Sequence, residues 1–147
     1  MKKIIFVALL AASLSAYAGS GLVTVDSKHD VKTTADKLVA KLKEKGMTVF
    51  IRVDHTAGAK AVGIEMRPTE VVIFGNPKIG SLLMNCAQTT GIDLPMKALI
   101  YETADGKVKL SYNSPAYLSE RHGIKGCEKP LAKVKGALAK FAKAATQ

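Results

Sequence analysis

The sequence predicts an α+β domain of two layers, in which a mixed, mostly antiparallel sheet of about five strands is covered by helices. Three observations predict it. Short β-branched runs alternate with period two, and longer segments repeat apolar residues at helical spacing. A hairpin signal, Asp105-Gly106, separates two of the strands and rules out a purely parallel sheet. The predicted order is β-α-β-turn-β-α-β-β-α-α.

Each element has its own reason. Leu22 to Asp26 reads as a short strand. Asp30 can cap a helix from Val31 to Lys45, with Val31, Ala35, Leu38, Val39 and Leu42 on one face and Gly46 as its stop. Met47, Val49, Ile51 and Val53 alternate with Thr48, Arg52 and Asp54, the pattern of a half-buried strand. Asp54 then caps a short helical turn that Gly63 terminates. Glu70 to Phe74 is a β-branched strand, and Pro77 suits the first turn of a second helix. Ile79, Leu82, Leu83, Cys86 and Ala87 form its apolar stripe, with Gly91 as its end. Lys97 to Glu102 and Val108 to Tyr112 flank the hairpin turn. Ser114-Pro115 opens a helical turn through Arg121, and a last helix runs from about Glu128 to Ala144.

The N-terminus reads as an export signal. Lys2 and Lys3 precede an apolar run from Ile4 to Ala12, and Ala16-Tyr17-Ala18 places small residues where a signal peptidase reads them. Residues 1–18 are therefore expected to be a signal peptide cleaved near Ala18. Residues 19–147 then form a single periplasmic or secreted domain with no membrane span.

The chain carries 22 Lys and Arg against 12 Asp and Glu, a net charge of +10. An exported protein does not meet the genome, so nucleic acid is not an expected partner. Lipid head groups, cell-wall polymers, an acidic protein or a small anion remain. The lysines are scattered along the chain, as on a solvated face. With no Trp and few aromatics, no stacking platform for bases or sugars is expected.

Four ordered motifs stand together: IRVDHTAGAKAVG (51–63), RPTEVVIFGNPKIGSLLM (67–84), DLPMKALIYE (93–102) and VKLSYNSPAYLSERHG (108–123). Their combination resembles the DUF302 family, a domain of unknown function, over nearly the whole of residues 19–147. The resemblance implies a compact α+β fold and a homodimer, and it brings no established reaction. Cys86, Cys127 and the signal peptide depart from the family pattern and point to a particular periplasmic role.

The loop after the second strand lacks the first glycine and the hydroxyl of a phosphate-binding loop, so its glycines and Lys60 read as turn geometry and solvation. His55 sits at a strand exit, where functional side chains often lie. With Glu65, Asn76, Asn113 and His122 it forms the candidate set for a small polar ligand. Asn76 and Asn113 are also ordinary turn starters, and His55 can simply pack against its own loop.

No catalytic residue is assigned. Ser81 lacks a nucleophile-elbow setting, and Cys86 lies on an apolar helix face. An oxidising compartment favours a Cys86–Cys127 bridge, worth about 4 kcal/mol for a loop of about 40 residues. The expected function is binding of a small ligand or a periplasmic partner protein, with no cofactor. The alternative is a redox or metal-handling protein using Cys86, Cys127, His55 and His122, with copper or non-covalent haem as the cofactor. A third reading is a hydrolase with a cleft near His55, Asn76 and Asn113.

Overall fold

The computed structural model describes residues 21–147, so the expected signal peptide lies outside the described residues. The elements are β1 (Leu22–Ser27), α1 (Val31–Glu44), β2 (Thr48–Asp54), α2 (His55–Ala61), β3 (Thr69–Gly75) and α3 (Pro77–Cys86). After a 3-10 turn (Gln88–Ile92) come β4 (Met96–Glu102), β5 (Val108–Asn113), α4 (Pro115–His122) and α5 (Glu128–Thr146). This is the order the sequence predicts. The strands lie as β1-β5-β4-β3-β2, and every neighbouring pair is antiparallel. The sheet is thus antiparallel throughout rather than mixed. From β2 onward each strand folds back beside the last, while α1 carries the chain across one face from β1 at one edge to β2 at the other.

The register separates the two faces. Val72, Phe74, Met96, Ala98, Ile100, Val108, Leu110 and Tyr112 point into the core. Helices α1 and α5 cover this side, contributing Val31, Ala35, Leu38, Leu42, Leu138, Phe141 and Ala145. The opposite face carries Val71, Ile73, Leu99 and Tyr101, all half-buried.

β2 departs from the alternation its sequence suggests. Its register slips between Val49 and Ile51, with Phe50 as the extra residue of a bulge. A one-residue slip exchanges faces. Ile51 therefore pairs with Ile73 on the open face and is 52% exposed, while Arg52 pairs with Val72 and turns inward. There Arg52 meets Glu70, which is only 9% exposed, and Asp36 of α1 at 2.6 Å. Hydrogen bonding to Glu70 above all holds the guanidinium well above its ordinary pKa.

The caps follow the sequence. Asp30 accepts the Thr33 amide at 2.6 Å, Asp54 the Ala57 amide at 2.9 Å, and Ser114 the Tyr117 amide at 3.0 Å. Gly63 has φ 76°, a left-handed conformation suited to glycine. Gly21 has φ 68°, and a Cβ there would lie 2.5 Å from the Tyr117 ring, so only glycine fits where β1 meets α4. α3 stops earlier than the Gly91 end its stripe suggests. Ala87 is extended, and the chain re-forms as the 3-10 turn. Cys86 at the end of α3 is disulfide-bonded to Cys127, the residue before α5.

Candidate functional site

The fold separates the five residues singled out from the sequence. β3 and β5 run in the same direction with β4 between them, so Asn76 and Asn113 leave the sheet at one end. β2 runs the other way. His55 therefore stands at the opposite end, with Glu65 in the segment that leads into β3. Strands of six or seven residues, about 20 Å, lie between the two ends. A single cleft of ordinary size does not hold His55 together with Asn76 and Asn113.

Locally, His55 and Glu65 are exposed. The Asn76 side chain caps α3, accepting the Lys78 amide at 3.0 Å. Asn113 closes β5 opposite Leu22.

His122 is held more tightly. Its side chain is 5% exposed, with Nε2 2.6 Å from Asp93 Oδ2 and Nδ1 3.0 Å from Thr89 Oγ1. Arg121 Nε also lies 3.4 Å from Asp93. These contacts clasp the 3-10 turn to the end of α4. A hydroxyl, an imidazole and a carboxylate in line can in principle activate the hydroxyl, but none of the three lines the large groove described next. His55 and His122 lie at opposite sheet ends, and both thiols are joined in the bridge. Among the described residues no group of three or more His, Cys, Asp or Glu is arranged to hold a metal ion.

A groove of about 1400 Å³ lies between α3, α5 and the end of α1. Phe74, Leu83, Met96, Leu138 and Phe141 line it, with the two phenylalanine rings edge to face at 6.3 Å. Leu82 on α3 is 47% exposed along its wall. Lys41, Lys45, Lys78, Lys133 and Lys140 also line it, with no Asp or Glu among the lining residues. Lys41 and Lys45 are paired with Glu44 at 2.8 and 3.0 Å, and their hydrogen bonds hold that carboxyl below its ordinary range. Of the five residues named from sequence, Asn76 alone lines this groove. Sequence reading passes over the three remaining lysines because Lys78 and Lys140 belong to different helices, and each alone reads as a solvated side chain. The signal it could have used is the glycine inside each wall helix, Gly80 and Gly136.

Comparison with known proteins bears on the whole domain. Residues 23–141 match the family model described as domain of unknown function DUF302. The chain belongs to the DUF302 family. A crystal structure of an uncharacterized conserved DUF302 protein from Bacillus stearothermophilus superimposes with a TM-score of 0.76. The likeness covers 86% of this chain and 98% of that one at 21% identity, so it establishes the shared fold. Among curated proteins, this DUF302 chain is 52% identical over 105 residues to the fluoride-specific ion channel FluC 1 of Brucella suis biovar 1 (strain 1330). It is equally similar to FluC 2 of Brucella melitensis biotype 1. The match covers 71% of this chain but only 41% and 39% of those relatives, so the chain spans about two fifths of the length of the curated proteins it matches.

Proposed function

We propose that this DUF302 protein is an exported binding module whose ligand lies in the groove between α3 and α5. The carrying observation is the groove itself: a large apolar concavity with a few charged groups around it is the form small-molecule sites take. Export is supported by the signal-like N-terminus and by the disulfide, a bond that persists in oxidising compartments. The test is native mass spectrometry of protein expressed from its full gene and recovered from the periplasm. A retained small molecule that is lost or weakened in Gly136→Leu, which projects a side chain into the groove, supports the reading. A molecule retained equally by both proteins counts against it. The same proposal seats a second copy on the open face of the sheet, over Ile51, Val71, Ile73 and Leu99.

A second reading rests on the Brucella relatives. No helix among the described residues is long and apolar enough to cross a membrane. The matched part of those proteins is, on this reading, a domain of its own, distinct from any membrane-spanning part. On this reading the protein works beside a membrane channel that handles fluoride. Deleting its gene should lower fluoride tolerance in the native host, and unchanged tolerance would remove this reading. The redox or metal-handling alternative has its own test. Freshly isolated protein would carry copper or a haem absorbance band that His55→Ala or His122→Ala removes.

A further inference from the structure

The groove has more structure than an apolar hollow. We infer that it takes a single anionic amphiphile, its acyl chain against the accessible apolar lining of Phe50, Ile79, Leu82, Leu94 and Val134 and its carboxylate or phosphate head met by Lys78, Lys133 and Lys140. This rests on the reading of the groove as a ligand site and names the class of ligand.

Four observations lead there. Size is the first. Sites for compact small molecules are about 300–1,000 Å³, and this groove, at about 1400 Å³, suits an elongated occupant. Charge is the second. The charged residues lining the groove are all lysines. Lys41 and Lys45 are engaged by Glu44, whereas Lys78, Lys133 and Lys140 have no carboxylate partner among the described residues. A lysine lays its four methylenes along apolar surface and keeps its ammonium at the rim, so the same side chains extend the wall and receive an anion. Lys133 and Lys140 are seven residues apart on α5, which puts both on one helix face.

The third observation is the pair of wall glycines. A glycine inside a helix costs about 1 kcal/mol relative to alanine, yet α3 carries Gly80 and α5 carries Gly136, both facing the groove. A Cβ at Gly136 would meet nothing within 4 Å, and one at Gly80 only the tip of Leu94 at 3.8 Å. Core packing therefore does not require either glycine, and both leave the groove wide. The fourth is the bridge from Cys86 to Cys127, which ties the two wall helices together at one end. A site held open before its ligand arrives loses less ordering entropy on binding.

Head-group chemistry is what separates this ligand class from other apolar ones. A neutral alcohol of the same chain length leaves the three lysines without a counterion, and a cationic amphiphile is repelled by them. The test is titration calorimetry on delipidated protein recovered from the periplasm, using decanoate, decanol and decyltrimethylammonium below their aggregation limits. Decanoate should bind one per chain, at least about tenfold more tightly than decanol, with the cation weakest; tenfold corresponds to about 1.4 kcal/mol. Replacing Lys78, Lys133 and Lys140 together by Gln should bring decanoate to the level of decanol. Gly136→Leu, with its fold checked by circular dichroism, should weaken both.

Equal affinity for decanoate and decanol would overturn the anionic class and leave the groove a ligand site. Decanoate binding unaffected by Gly136→Leu would place the ligand elsewhere and overturn both claims, as would a failure of all three probes to bind wild-type protein. Co-sedimentation with anionic phospholipid vesicles that Gly136→Leu does not weaken, without binding of monomeric decanoate, would make the lysines a membrane-surface patch and overturn the inference.

Discussion

At the scale of single residues, Arg52 is the most consequential side chain the fold turns inward. Its guanidinium links the sheet to α1 through Glu70 and Asp36. Removing the carboxylate in Glu70→Ala leaves a half-buried cation with one partner, and the lost charge-assisted bond should cost about 2 kcal/mol. Glu70→Gln, whose amide oxygen still accepts, should cost less. Urea unfolding of the two variants checks the order, and equal losses would show that a neutral acceptor recovers nothing and that the charge carries the whole interaction. His55 is the contrasting case. It is exposed, with no hydrogen-bond partner among the described residues, so His55→Ala should leave the unfolding midpoint within error of the wild type.

At the scale of elements, the Cys86–Cys127 bridge closes a span of 41 residues and should contribute about 4 kcal/mol by restricting the unfolded chain. Cys127→Ala should lower the melting temperature by on the order of 10 °C, read by thermal scans with and without reductant. α5 offers a change of opposite sign. Gly136→Ala places a methyl in open space and should stabilise the helix by about 0.5–1 kcal/mol. Most of these elements were legible in the sequence because local chemistry specifies them: Asp30, Asp54 and Ser114 as caps, Asp105-Gly106 as a turn, and apolar spacing along α1 and α5. The inward turn of Arg52 was not legible. A bulge is fixed by the partner strand, and the run from Met47 to Asp54 alternates except at Phe50, a break that by itself does not say which way Arg52 turns. The groove was hidden for a related reason, since it exists only where α1, α3 and α5 converge from distant parts of the chain.

At the scale of the whole molecule, acid stability follows from carboxylates that the fold keeps ionised. Asp36 is held below its ordinary value by hydrogen bonds from Lys32 and then Arg52, and Asp30 chiefly by the Thr33 amide. Asp105 is lowered from 3.8 to about 2, first by the Thr103 hydroxyl. A carboxylate depressed in the folded state adds stability above its unfolded value, and that contribution disappears as pH falls through the folded one. Stability should therefore fall as pH drops below 3.8 toward about 2. Urea midpoints across that range measure it, and a constant midpoint would contradict the assignment. The proposed association of two copies on the open sheet face is checked by analytical ultracentrifugation. Ile73→Lys should shift a dimer toward monomer if that face is the contact.

The bulge at Phe50 has a further consequence for how the molecule behaves in a crowded compartment. β2 is an outermost strand, and such a strand offers a row of backbone donors and acceptors on which a foreign strand can continue the sheet. The extra residue breaks the regular spacing of that row near its middle and bends the strand. A neighbouring chain that begins to pair along β2 loses register within a few residues. The displacement that sends Arg52 to its partners inside thus also guards this margin of the sheet against fibril-like growth.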